Sequence, residues 1–131
     1  MAIRWILVVD DDPMMLSLAA EFLQGPDFRV TTASDAMQCF IQARDLRPVL
    51  IISDMQMPGY GTGDNALREM RKDPRLKGIP FIFVTGMTLA DAQKLLPVND
   101  PTVRLMNKPV DWNKLRQWIF EMTGLKIPEK T

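Results

Sequence analysis

The chain of 131 residues fits one domain, long enough to bury a core without disulfides or structural metals. Sixteen Lys/Arg balance sixteen Asp/Glu, so overall charge gives no ground for a nucleic-acid or anionic-membrane partner. Cys39 stands alone and histidine is absent, which excludes an intrachain disulfide, a Ser-His-Asp triad, histidine acid/base chemistry and His metal ligands.

In chain order, Ile3–Val9 reads as a buried strand. Its apolar run Trp5–Val9 is five residues long and ends in Asp10-Asp11-Asp12, so it is neither signal peptide nor membrane span, and a reducing cytoplasm is the expected home. Asp12 before Pro13 starts a helix, the acid capping and the proline at the first helical position. Met14/Met15, Leu18/Ala19 and Phe22/Leu23 recur every four residues on one face, and Gly25-Pro26 stops the helix. Phe28–Ala33 is a short second strand. Ser34 is expected to cap a helix with Ala36, Met37, Phe40 and Ile41 on its inner face, ended by Pro48.

Val49–Ile52 is an uninterrupted apolar run with three β-branched residues, which suits a strand buried on both faces. It closes on Asp54, and Met57-Pro58-Gly59 ends regular structure. Tyr60-Gly61-Thr62-Gly63 reads as a mobile loop, with glycines at 59, 61 and 63. A helix with Ala66, Leu67 and Met70 follows and breaks near Pro74. Pro80–Val84 is a fourth buried strand, ending in Thr85-Gly86. A short helix spans Leu89–Leu96 and stops at Pro97. Val103–Met106 is a brief fifth strand, ending in Asn107-Lys108-Pro109. Asp111 caps a last helix with Trp112, Leu115, Trp118/Ile119 and Met122 inward, and Gly124 ends it. Residues 125–131 read as a tail or the start of a linker, which sets the domain at 1–124. The ten methionines read as core filler.

Strands alternating with helices argue a doubly wound α/β domain with a parallel sheet and right-handed crossovers. Four strand ends carry chemistry: Asp10/Asp11, Asp54, Thr85 and Lys108. In this architecture those ends converge on one crevice. Three carboxylates close together repel and call for a cation; hard oxygen donors with room for water suit Mg²⁺. A lysine and a hydroxyl beside the metal suit phosphate, and one carboxylate can itself be the nucleophile. Singly, each residue has a plainer role: the Asp run as helix cap, Thr85 bonding its own backbone, Lys108 as a solvated charge. Their joint placement favours a site.

Ile6–Pro13, Asp54–Gly59, Val84-Thr85-Gly86 and Lys108-Pro109 resemble, in order and spacing, the motifs of the receiver domains of two-component response regulators. The resemblance covers about residues 3–123. It implies a five-stranded parallel sheet in the flavodoxin-like order 2-1-3-4-5 with five helices. Asp54 would be the phosphoacceptor, and Asp10, Asp11, Asp54 and the backbone carbonyl of Gln56 would hold Mg²⁺. Thr85 would bind the phosphoryl group through its hydroxyl, and Lys108 would pair with Asp54 and then with the phosphoryl oxygens. The Lys108–Pro109 bond is commonly cis in this family. The donor would be a phosphohistidine on a histidine kinase or histidine phosphotransfer protein, in keeping with the lack of histidine here. The implied output is a switched surface around the fourth and fifth helices, read by a downstream protein or output domain or by a phosphorylation-dependent homodimer, with no direct nucleic-acid or membrane contact.

Two departures stand out. Family members usually carry Tyr or Phe three residues before the lysine, and here that position is Leu105. The loop after Met57-Pro58-Gly59 is one residue longer than the common pattern. Gln56 and Met87, two residues after the acceptor and the threonine, flank the path of an attacking water and are expected to set a slow dephosphorylation. Two alternatives compete. One is a receiver-like scaffold that binds partners without phosphorylation. The other is a small aspartyl-phosphate phosphatase of the haloacid dehalogenase type, which wants an Asp-x-Asp-x-Thr/Val pattern that Asp10-Asp11-Asp12-Pro13-Met14 lacks.

Overall fold

A computed structural model describes residues 3–56, 63–97 and 99–128. Its elements alternate: β1 (Trp5–Val9), α1 (Pro13–Phe22), β2 (Arg29–Ala33), α2 (Ala36–Leu46), β3 (Leu50–Asp54), α3 (Gly63–Arg71), β4 (Phe81–Thr85), α4 (Leu89–Gln93), β5 (Val103–Asn107) and α5 (Trp112–Thr123). The strands form one parallel sheet in the order β2-β1-β3-β4-β5, the flavodoxin-like order. From β1 the chain crosses to β2 on one side and then to β3 on the other. The topological switch point therefore lies between β1 and β3.

Side chains alternate across the sheet and feed two cores. Leu7 and Val9 of β1 join Ile51, Phe81 and Phe83 under α2, α3 and α4, where Cys39, Ala43, Leu67, Met70 and Ala92 are buried. Ile6 and Val8 join Leu50, Ile52, Ile82 and Val84 under α1 and α5, with Ala19, Leu23, Leu115 and Ile119. Burial pushes the Cys39 thiol up to about 12, with Asp35 adding to the shift, which leaves it inert.

The helix starts follow capping chemistry. Asp12 accepts from the Met14 amide with Pro13 in the first turn, and Asp111 accepts from the Lys114 amide. Gly124 ends α5 in the left-handed region, at φ 76°. For α2 the cap is Asp35, not the expected Ser34: Asp35 accepts from the Gln38 amide, while the Ser34 amide and hydroxyl donate back to the Gln38 side-chain oxygen. The inner faces are also narrower than expected. Met14, Leu18, Met37 and Ile41 are exposed. Ala36, Cys39 and Ala43 hold the seats under α2, and such small residues let the helix approach closely and push its larger neighbours to the flank. Helix α4 stops at Gln93 rather than Leu96. Beyond it, the Leu95 and Leu96 amides reach Ala92 and Gln93, a tightened turn ahead of Pro97, which disfavours helix at the residue before it.

Of the turn and loop expected over residues 57–63, residues 57–62 lie outside the described residues, and Gly63 is the first residue of α3 rather than part of the loop. At the other end, the segment expected to leave the domain at residue 125 packs on it. Leu125 and Ile127 are buried in the α1/α5 core, so the packed unit continues past Gly124.

Candidate functional site

The carboxyl ends of β1, β3 and β4 use one local device. The Asp12 amide donates to Asp10 Oδ1 (2.9 Å), the Gln56 amide to Asp54 Oδ1 (3.1 Å) and the Met87 amide to Thr85 Oγ1 (3.0 Å). In each case a side-chain oxygen accepts from the backbone two residues on, so the strand ends in a fixed turn. This fixes one oxygen of each carboxylate and leaves the other, Oδ2, free to face the crevice. Asp10 and Asp54 are buried, and so is Thr85.

Lys108 completes the group. It follows β5, and its amide donates to the Thr85 carbonyl (2.7 Å). The Lys108–Pro109 peptide bond is cis. The ammonium lies between the two buried acids, 3.3 Å from Asp10 Oδ2 and 3.2 Å from Asp54 Oδ2. Burial works against its charge, but the Asp54 and Asp10 carboxylates outweigh it and hold Lys108 above its ordinary range. Burial pushes Asp10 up, against the Asp12 amide and Lys108, which pull it down. One ammonium cannot neutralise three acids. Asp10, Asp11 and Asp54 each offer a carboxylate oxygen, all within 4.8 Å of one another, with Asp11 exposed. Hard anionic donors clustered with one side open fit a small divalent cation that keeps some of its water.

Of the sequence candidates, Asp10, Asp11, Asp54 and Lys108 come together. Thr85 stands one strand over, one residue beyond Val84, which is in register with Asp54. Gln56 is exposed with its amide on Asp54. Met87 and Leu105 are half-buried against the α2–α4 core rather than free in solvent. Sequence reasoning passed over Asn107. Its Nδ2 donates to the Met87 carbonyl (2.7 Å) and the Thr85 carbonyl (3.3 Å), tying the β4–α4 turn to the end of β5. The signal was an amide side chain immediately before Lys108, in register with Thr85.

A family model described as the response regulator receiver domain matches residues 6–120. The DNA-binding response regulator MtrA of Mycolicibacterium smegmatis is 35% identical over 83 residues, 63% of this chain and 35% of that protein. The chain thus spans about a third of the length of that relative. Hybrid signal transduction histidine kinase D of Dictyostelium discoideum is 35% identical over 121 residues, 92% of this chain and 8% of that protein. The chemotaxis response regulator CheY4 of Vibrio cholerae superposes with a TM-score of 0.79 at 24% identity, over 92% of this chain and 99% of that one, and shares the fold.

Proposed function

The chain belongs to the response regulator receiver family of two-component systems, and from that premise we propose that Asp54 accepts a phosphoryl group from a phosphohistidine and that the adduct switches a protein-interaction surface. The observation that carries the proposal is the Lys108 ammonium held between the Asp10 and Asp54 carboxylates at the switch point of the sheet.

Asp54 Oδ2 attacks phosphorus, the P–N bond to the donor imidazole breaks, and its electron pair stays on the imidazole nitrogen. Lys108 meets charge on the phosphoryl oxygens as it leaves the Asp54 carboxylate. The Thr85 hydroxyl, which accepts from the Met87 amide, keeps its proton to donate to a phosphoryl oxygen. Asp10, Asp11, Asp54 and the Gln56 carbonyl would hold Mg²⁺, and when bound it supplies positive charge against the same oxygens. The donor is a histidine kinase or histidine phosphotransfer protein. The reader is a downstream protein or output domain, or a second phosphorylated copy, on the α4–β5–α5 side. Direct nucleic-acid binding is no part of the proposal. We place the module in the cytoplasm; no helix of the described residues is long and apolar enough to cross a membrane.

The test is intact mass after incubation with acetyl phosphate or phosphoramidate. A phosphoryl adduct is expected with Mg²⁺ and is lost in Asp54→Asn and in EDTA. An adduct that persists in the variant, or forms equally in EDTA, overturns the assignment, and a scaffold that works without phosphorylation gives no adduct at all.

A further inference from the structure

The chemistry proposed for Asp54 needs Thr85 and Lys108 to act together, yet they stand on different strands. Leu105, two residues before Asn107 on β5, has neither ring nor hydroxyl to follow Thr85. We propose that Asn107 is a positioning residue for phosphotransfer. Its side-chain amide fixes the Thr85–Met87 turn to the Lys108 backbone, so that the Thr85 hydroxyl and the start of α4 move with Lys108. This rests on the phosphoacceptor reading of Asp54.

The turn has four hydrogen bonds. Lys108 N and Asn107 Nδ2 both donate to the Thr85 carbonyl, at 2.7 and 3.3 Å. Asn107 Nδ2 also donates to the Met87 carbonyl at 2.7 Å, and the Met87 amide donates to Thr85 Oγ1 at 3.0 Å. Two carbonyl acceptors decide the orientation of the Asn107 amide, because an amide oxygen turned toward them would face two other oxygens. Of these bonds, the two at Met87 leave the strand ladder: its carbonyl is held from β5 and its amide by the Thr85 hydroxyl, so the two peptide units that flank its α-carbon are tied, one to Asn107 and one to Thr85. Gly86, between them, has open space around its α-carbon and adds no packing of its own. Directly after Met87, Thr88 caps α4 by accepting from the Asp91 amide. The path from Lys108 to α4 is therefore Asn107, Met87, Thr88, made of hydrogen bonds and one peptide. It needs no ring at position 105.

Two replacements separate the donor from the shape: Asn107→Ala removes both, while Asn107→Asp keeps the shape and turns the donor into an acceptor facing two carbonyls. Amide exchange over residues 86–93 is measured in wild type and both variants, with Mg²⁺ alone and with Mg²⁺ plus beryllofluoride. Without beryllofluoride, both variants are expected to exchange about tenfold faster at Met87–Ala92, the loss of one to two hydrogen bonds, with the Asp variant no slower than the Ala variant. Beryllofluoride is expected to bind both variants several-fold more weakly and to leave their α4 exchange unchanged, whereas it alters α4 exchange in wild type. The urea midpoint of both variants stays near wild type. Wild-type exchange in both variants overturns the proposal, and so does wild-type exchange in the Asp variant alone, which would make the role one of shape. A wild type that does not bind beryllofluoride overturns the reading of Asp54 and the coupling with it. That failure is distinct, because the comparison in Mg²⁺ alone does not require Asp54 to accept a phosphoryl group or its mimic.

Discussion

Strands β3 and β4 bury every one of their residues, whereas β5 buries only Met106 and α4, five residues long, buries only Ala92. Asp54 and Thr85 close the first pair of elements; Leu105, Asn107 and the start of α4 belong to the second. Asp54 and Thr85 thus stand on the part of the sheet that is hardest to deform. The β5–α4 edge has few buried contacts and opens at lower cost. A switch needs only a few kcal/mol between its two states, and a loosely buried edge can be biased by that amount where a central strand cannot.

The sharpest contrast should appear in stability. Phe83 on β4 is fully buried and stacks on Phe81 with ring centroids 5.2 Å apart. Phe83→Ala is expected to cost about 3–5 kcal/mol in urea unfolding. Leu105→Ala, on the half-buried β5, should cost about 1–2 kcal/mol. Equal losses would mean that the edge is as firmly built as the centre and would remove the mechanical argument.

The chemistry should divide within β5 and its end, between Lys108 and Leu105. Lys108→Ala removes the one cation seated between Asp10 and Asp54. The initial rate of adduct formation from acetyl phosphate is expected to fall by about 10²–10³, the cost of losing one preorganised charge stabiliser. Leu105→Ala should leave that rate nearly unchanged and alter only the exchange of α4. A comparable loss of rate in both would place Leu105 inside the chemistry.

A smaller effect concerns the acid pocket before any metal binds. Burial holds Asp10 above its ordinary carboxylate value in the folded state. With the folded value raised, ionisation favours the unfolded chain, so Asp10 costs stability at neutral pH. The cost is relieved as pH falls through the folded value toward 3.8. Asp10→Asn is therefore expected to raise the melting midpoint of metal-free protein by a few degrees at neutral pH and to flatten this part of its acid profile. Mg²⁺ should raise the wild-type midpoint and not that of the variant. A metal-free variant less stable than wild type would show that the Lys108 contact outweighs the cost of burial.

The same division governs what could be read from sequence. Val49–Ile52 and Phe81–Val84 are apolar runs with one interpretation, and the acids and the hydroxyl that close their neighbourhoods were visible at once. Helix seating was harder. Met14, Leu18, Met37 and Ile41 have the right spacing for an inner face but are exposed; of the same expected faces Ala19 and Ala36 are buried, and Cys39 and Ala43 take the other seats under α2, because close approach to the sheet is decided by both partners. Asn107 was passed over because its two acceptors are main-chain carbonyls twenty and twenty-two residues away, which no side-chain pattern records. Leu125 and Ile127 are two apolar residues in a polar tail, too few to show a period, so their burial was not legible either.

The finest distinction is the lifetime of the adduct. Hydrolysis needs a water in line behind phosphorus, and misplacing it costs orders of magnitude in rate. Gln56 is exposed and offers one amide on a long side chain. Met87 is half-buried against the apolar wall under α2–α4, so its thioether gives a water nothing to hold. The phosphoryl group is therefore expected to persist for minutes or longer rather than seconds. In Met87→Glu the backbone stays in place, because the residue's amide and carbonyl are bonded to Thr85 Oγ1 and Asn107 Nδ2. A carboxylate cannot remain on the apolar wall and turns to the solvent side, where it can orient a water. Phosphate release in Mg²⁺ should then speed up by about threefold to tenfold, at most about 1.4 kcal/mol off the barrier. Met87→Leu, which keeps the apolar contact, should release phosphate at the wild-type rate. A wild-type half-life of a few seconds, or equal rates in the Glu and Leu variants, would show that position 87 does not face the water's path and that lifetime is set elsewhere in the pocket.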